Sequence, residues 1–284
     1  MRTATSSTTC LHEMKEPKIL EITSPSNPTI KHVVSLHQPK NRRLHSSYIV
    51  EGRRAISSLP STLSASLTFI TPSHSTLTSP LPPSAIYYKI PPSLMSKITT
   101  TSSPTTILSV YPLPPPPQTL PHFNLISNGI QDPGNLGGLI RTLSASNLDG
   151  AFTLLGDGCD PFSPRSVRSS LGLTGYSVPY LGKFKGWKEW EEYMDDGYGM
   201  NWKVLVTVLT ENSESIYEVD KDVEGLVMGS EGNGIDEGLK ERMRVRKENY
   251  VECYVPMKGE VESLNVGVAA GICLYEIARS KGRI

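Results

Sequence analysis

The chain has 284 residues, room for two cores of moderate size, and its 28 basic residues match its 28 acidic ones, a balance that by itself argues against a polyanionic partner. No apolar run approaches the ~20 residues of a membrane span, so no membrane partner is expected. Cys10, Cys159, Cys253 and Cys273 lie too far apart for paired metal-ligand spacing, which argues against a bound metal and a disulfide scaffold and for a reduced, intracellular chain.

The neutral total hides an asymmetry. Up to Gln118 there are 11 Lys and Arg against 4 Asp and Glu, a difference of +7, and the remainder has 17 against 24, a difference of −7. The same boundary has 17 of the 23 prolines before it and 22 of the 23 glycines after it. Two differently built units therefore meet near residue 118.

In chain order, residues 1–17 read as a flexible tail. Residues 1–12 carry Arg2, many Ser and Thr and no acid, as organelle transit peptides do, whereas Glu13 and Glu16 follow at once. The compartment is left between cytoplasm and an organelle, mitochondrion or chloroplast, with the organelle favoured. Residues 18–113 form a small α/β unit, with strands expected at Tyr48–Val50, Leu67–Ile70, Ala85–Ile90 and Ile107–Tyr111. Residues 114–118 form a Pro-rich linker whose run Pro114–Pro117 favours extended polyproline geometry and cannot join a sheet.

From 119 to 284 strand and helix alternate, as in a mainly parallel sheet covered on both faces. Strands are expected at Phe123–Ile126, Ala151–Leu155, Val204–Leu209, Gly225–Met228 and Val251–Val255, and helices at Gly137–Ser146, Ser163–Leu171 and Leu264–Arg279. Cys253 and Cys273 fall in apolar runs and read as ordinary core thiols. Trp187, Trp190 and Trp202 read as packing residues of a variable insert rather than as base-stacking platforms.

All six histidines lie at or before His122. The second unit, which has essentially none beyond His122 at its very start, therefore cannot assemble a Ser-His-Asp triad, a Cys-His pair or a His-ligated metal within its sheet, and its chemistry must rest on Arg, carboxylates, hydroxyls, amides and backbone. Such an inventory suits the positioning of a reactive cofactor.

Three segments carry that chemistry. The first is DPGNLGGLIRT at 132–142, with Asn135 placed as a helix cap, Arg141 six residues on, and Gly137 and Gly138 admitting a close neighbour. The second is LVMGSEGNGI at 226–235, a strand ending in a glycine-rich loop around Glu231. The third is VPMKGEVESLNVGVAAG at 255–271, in which Ser263, Leu264 and Asn265 open the last helix. Singly, each has a plain structural reading as a cap, a solvated charge or a first-turn acid; their joint occurrence in order carries the functional one.

Together these segments resemble the motifs of the SpoU family, also called TrmH-like, of the SPOUT methyltransferases. The resemblance covers 119–284 and, more weakly, VEGRRAI at 50–56 and the stretch from Tyr87 to Val110, which are similar to a ribosomal-protein-like, RNA substrate-binding domain over 18–113. It implies a deep trefoil knot, S-adenosyl-L-methionine as cofactor, a homodimer, and methylation of a ribose 2′-hydroxyl; the two-domain construction favours large-subunit rRNA as the substrate, with tRNA as the alternative. By matching position, Met228, Gly229, Val255, Met257, Ser263 and Leu264 would bind the cofactor. Asn135, Arg141, Glu231, Ser263 and Asn265 would form the catalytic group, partly across the dimer interface. Because a guanidinium with a pKa above ~12 is a poor base, Arg141 would act through the adjacent RNA phosphate. Lys31, Lys40, Arg42, Arg43, Arg53 and Arg54 would meet RNA phosphates, with Arg165 and Arg168 as secondary candidates.

The chain departs from the family pattern in three places. Asn147 replaces a common glycine, Thr105 and Thr106 replace a usual Gln-Gly, and Glu237–Tyr250 is longer. A nucleotide-dependent oxidoreductase fits poorly, because Gly232 and Gly234 lack the third glycine and Glu231, Asp236 and Glu237 would repel a pyrophosphate. A non-catalytic RNA-binding or ribosome-assembly protein of the same fold is the other alternative.

Overall fold

Two sheets organise the chain in the computed structural model, which describes residues 19–73, 82–103, 105–232, 234–259 and 263–284. The N-terminal tail, its targeting signal and Cys10 lie outside the described residues.

The first sheet has the order β1-β4-β3-β5-β2, from strands β1 (Ile19–Glu21), β2 (Ser47–Glu51), β3 (Ala65–Ile70), β4 (Ser84–Lys89) and β5 (Ile107–Pro112). β4 pairs in parallel with β1 and β3, while β5 runs antiparallel to both β3 and β2. Helices α1 (Pro28–Ser35) and α4 (Pro92–Ile98) supply Ile30, Val33, Leu94, Met95 and Ile98 to a core against Ile49, Phe69 and Leu108. Both helices begin with proline at a position where no backbone N–H is needed. Two short helices, α2 (Pro39–Leu44) and α3 (Arg53–Ser57), flank β2.

The second sheet is parallel throughout, in the order β10-β12-β9-β11-β6-β7-β8. Its strands are β6 (Phe123–Asn128), β7 (Gly150–Leu155), β8 (Tyr180–Phe184), β9 (Val204–Thr207), β10 (Glu214–Ser215), β11 (Gly225–Met228) and β12 (Tyr250–Tyr254). Successive side chains point to opposite faces, so Leu125, Leu205 and Leu226 join one core while Ile126, Val204 and Val227 join another. Helices α5 (Pro133–Ala145) and α9 (Val266–Ser280) cover the first face. Helices α7 (Trp187–Tyr198) and α8 (Glu237–Val245) cover the second.

The Trp-bearing segment, read from sequence as a variable insert, is the centre of that second core. Trp190 and Trp202 are fully buried with ring centroids 5.2 Å apart. Beneath them the buried Glu191 accepts from Arg242 at 2.8 Å and from the Tyr250 hydroxyl at 2.7 Å. Strands β1, β8 and β10 and helices α7 and α8 were not expected from periodicity, because each is short or built largely from polar and aromatic residues.

Pro114–Pro117 lies outside both sheets, as its geometry requires. It does not hold the two units apart. Tyr48, Ile56 and Tyr111 from the first share a buried cluster with Phe162, Val167 and Tyr180, the Tyr48 and Phe162 rings standing 5.2 Å apart. Gly172, at φ +78, lets the chain after α6 (Pro164–Ser169) pass so close to Ala55 that a Cβ there would sit 2.6 Å from a carbonyl oxygen.

Candidate active site

The three motif segments lie at the C-terminal end of the parallel sheet, the usual place for a site in such folds. α5 starts because Asp132 accepts from the backbone N–H of Asn135 at 2.9 Å and Pro133 follows at the first helical position. Asp132, not Asn135, is therefore the cap, which corrects the sequence expectation and leaves the Asn135 side chain available. The Asp-Pro pair was a legible signal for it. Gly137 is needed where α6 crosses, since a Cβ would lie 2.4 Å from the Ser166 carbonyl oxygen, whereas Gly138 faces open space.

Asn135 Nδ2 donates to Glu231 Oε1 at 2.5 Å, and Asn265 Nδ2 donates to Asn135 Oδ1 at 3.3 Å. Asn265 is itself held, its Oδ1 capping α9 by accepting from Gly267 N at 2.9 Å. One residue from each segment thus enters a single hydrogen-bonded chain, although 96 and 130 positions separate the partners.

Beside that chain opens a cavity of about 350 Å³. Met228, Gly229, Val255, Met257, Ser263 and Leu264 all line it, with Glu231 at its edge. Its wall is mostly apolar, and Gly229 is obligatory because a Cβ would stand 2.6 Å from the Gly234 carbonyl carbon. Cys253 also lines it; the hydrogen bond with Cys273 and burial push its thiol well up, so it stays protonated and is no nucleophile. A larger hollow of about 710 Å³ lies next to it against α8, but the motif residues converge on the smaller one. No group of three His, Cys, Asp or Glu side chains suited to a metal occurs among the described residues, and no helix there is long and apolar enough to cross a membrane.

Arg141 stands apart. It is exposed on α5, has no ion-pair or hydrogen-bond partner among the described residues, and is six residues, or about 9 Å along the axis, from Asn135.

The expected RNA-contacting residues divide. Lys31, Lys40, Arg43, Arg53 and Arg54 are exposed and make no ion pair among the described residues. Arg42 does not belong with them: only 2% exposed, it pairs with Asp160 at 2.7 Å and donates to the carbonyls of Leu36 and His37. That expectation is corrected, since its charge is spent inside the protein. Arg168 pairs with the buried Glu51 at 2.9 Å, and Arg165, more exposed, pairs with Asp132 at 2.9 Å beside the site.

Sequence reasoning missed one pair entirely. Asn128, ending β6, and Asp236, capping α8, bond reciprocally: Nδ2 donates to Oδ2 at 2.6 Å and the Asp236 N–H to Oδ1 at 2.9 Å. Trp187 adds an indole N–H to Asp236 at 3.0 Å. This lock ties the loop before Asn135 to the loop bearing Glu231, and with 108 residues between its members no local pattern could reveal it.

Residues 122–275, more than half of the chain, match the SpoU rRNA methylase family. The chain belongs to that family. Residues 27–109 match the MRM3-like substrate binding domain. Among relatives of this SpoU protein, the 23S rRNA (guanosine(2553)-2′-O)-methyltransferase RlmP of Bacillus subtilis is 29% identical over 259 residues, 90% of this chain and 98% of the relative. The 23S rRNA (guanosine-2′-O-)-methyltransferase RlmB of Coxiella burnetii is 30% identical over 57% of this chain and 60% of its own length. The fold matches the AdoMet-bound rRNA methyltransferase of Sinorhizobium meliloti with a TM-score of 0.73 at 23% identity, covering 92% of this chain and 98% of that one. The family's common glycine is replaced at Asn147 without strain unusual for that residue type: its φ is +57°, a conformation asparagine tolerates.

Proposed function

We propose that this protein is an S-adenosylmethionine-dependent RNA methyltransferase that forms 2′-O-methylribose in large-subunit ribosomal RNA. The observation that carries the reading is the Asn265–Asn135–Glu231 chain at the rim of the Gly229–Leu264 cavity. The names of the Bacillus and Coxiella relatives, both 23S rRNA 2′-O-methyltransferases, support the substrate class.

The cavity fits the cofactor in size and lining. Apolar Met228, Val255, Met257 and Leu264 suit a heterocycle, and the close Gly229 backbone offers polar groups to its edge. The cofactor supplies a sulfonium-activated methyl group. The protein's part is alignment and proton removal. Asn135, fixed at both ends of its amide, and Ser263 at the cavity mouth orient the ribose, and such positioning supplies several kcal/mol of a barrier. Arg141 holds the neighbouring phosphate and assists transfer of the 2′-hydroxyl proton to it.

Two further features belong to this reading. A homodimer is supported by the place of Arg141, exposed and away from the chain's own cavity, and by the apolar Val268 and Tyr275 left 53% and 44% exposed on α9. A trefoil knot is supported by the path of the C-terminus: β12 lies beyond β9, yet the chain returns so that α9 packs on α5 and β11. The N-terminal composition supports an organellar compartment over the cytoplasm.

The test is incubation of purified protein with unmodified ribosomal RNA, transfer RNA in a parallel arm, and methyl-labelled cofactor. Label is expected on ribose 2′-oxygens of the large-subunit rRNA. RNA retained without label would overturn catalysis, and calorimetric binding of NAD in place of S-adenosylmethionine would favour the oxidoreductase alternative.

A further inference from the structure

The loop that carries Glu231 borders a second, smaller hollow of about 200 Å³. Ser230 and Gly234 line both this hollow and the methyl-donor cavity, so a single thickness of chain separates the two spaces. The remaining lining comes from Asp236 and from the ends of two neighbouring strands: Asn128 closing β6 with Gly129 and Gln131 after it, and Gly156 and Asp157 after β7. A group seated here would lie next to whatever the Asn135–Glu231 pair holds, at the scale of one nucleotide.

The hydrogen-bonding capacity of the hollow is one-sided. Asn128 and Asp236 satisfy each other, and Asp236 further accepts from Leu239 N and Trp187 Nε1. Gln131 spends its amide N–H groups on the carbonyls of Gly129, at 3.2 Å, and Asp157. The Ser230 hydroxyl donates to the Gly234 carbonyl at 3.4 Å. Apart from the second N–H of the buried Asn128 amide, what is left on the side chains is acceptor capacity: Gln131 Oε1 and the fully exposed Asp157 carboxylate, one oxygen of which stands 3.4 Å from Lys183 Nζ. A carboxylate has about four lone-pair sites, so that contact leaves room for more donors.

Among the four bases, guanine alone presents two adjacent donors, N1–H and the 2-amino group, on its pairing edge. Adenine and cytosine place a ring acceptor beside their single amino group, and uracil flanks its one donor with carbonyl oxygens; a carboxylate repels each of those acceptors. Enzymes that act on a nucleotide commonly take its base into a pocket and read that edge. We infer that this hollow receives the base of the target nucleotide and that Asp157, steadied by Gln131 and Lys183, selects guanine. The inference rests on the methyltransferase reading above.

Full-length protein is incubated with labelled S-adenosylmethionine and in vitro transcribed large-subunit rRNA, which is then digested to nucleosides. Label on 2′-O-methylguanosine is expected. Label on another 2′-O-methylnucleoside overturns the base assignment while leaving methyl transfer intact, and no label on any nucleoside removes both. Asp157→Asn, at a fully exposed side chain, should keep the native melting temperature and cofactor affinity but methylate guanosine about tenfold more slowly or worse, the scale of one lost bidentate contact. Replacing the target guanosine by inosine, which lacks the 2-amino group, should slow the native enzyme about as much. The same replacement should slow Asp157→Asn no further, and equal rates for variant and native protein on both RNAs would overturn the role of the carboxylate.

Discussion

Arg42 and Asp160 meet at 2.7 Å across the junction of the two sheets, and a second pair, Glu51 with Arg168, crosses it in the opposite sense at 2.9 Å. Each unit thus gives the other one cation and one anion. Because Arg42 is 2% exposed and also donates to two carbonyls, removing its partner strands a buried charge. Asp160→Ala is expected to lower stability by about 3 kcal/mol, read from the urea midpoint at constant m. Arg43→Ala and Arg53→Ala should leave stability unchanged and flatten the salt dependence of RNA binding by about one charge each. A flattened slope in Arg42→Ala would return that residue to the RNA surface.

Gly229→Ala tests the cofactor cavity. The added Cβ falls 2.6 Å from the Gly234 carbonyl carbon, backbone that cannot swing aside as a side chain would. S-adenosylmethionine affinity should fall tenfold or more, about 1.4 kcal/mol or above, in titration calorimetry, with RNA affinity retained. An unchanged Kd would place the cofactor elsewhere.

Arg141→Ala should abolish methyl transfer while cofactor binding stays near native, since Arg141 is outside the cavity lining. If the arginine serves the partner's site, mixing Arg141→Ala protein with Gly229→Ala protein, at a cofactor concentration too low to fill the latter's cavity, should restore part of the activity through heterodimers. Absence of rescue, with heterodimers shown to form, would confine each active site to one chain.

Trp190→Ala should cost about 3–5 kcal/mol, the range for a fully buried aromatic, and leave RNA affinity of the folded protein unchanged. A loss of RNA binding in folded variant would revive base stacking by the tryptophans.

Acid sensitivity is expected from Asp195. Partial burial acts to raise its pKa, but hydrogen bonds from Arg246, bidentate at 2.9 and 3.1 Å, and from Trp202 outweigh that and hold it below its usual range. A depressed carboxylate contributes stability that is present in full above the unfolded value, about 3.9, and is lost as pH falls through the lower folded value. Native protein should therefore exceed Asp195→Asn in stability near neutrality, and the gap should close as pH is lowered from about 5 to about 2. A gap independent of pH would show that the charge of Asp195 is not what matters.

Much of the architecture was legible because buried parallel strands need near-continuous apolar runs, and Phe123–Ile126, Ala151–Leu155 and Gly225–Met228 provide them within a residue or two of the observed bounds. The turn chemistry was legible in part, since Gly137 and Gly138 both announce close approach, yet only Gly137 meets a neighbour and Gly138 faces open space. Helices α7 and α8 were not, because their polar faces are satisfied by each other: Glu191 on one takes Arg242 from the other, a contact that leaves no periodic trace.

From its residues alone this chain determines a basic unit followed by a glycine-rich parallel α/β unit with no histidine beyond His122, and three polar segments whose order marks the SpoU family. Only the tertiary structure decided that Arg42 is turned inward while Arg43 is exposed, and that Asn128 is locked to Asp236. The two long-range outcomes depend on which partner arrives from 100 or more positions away, and pairing energy across such distances is set by packing, not by local propensity or pattern.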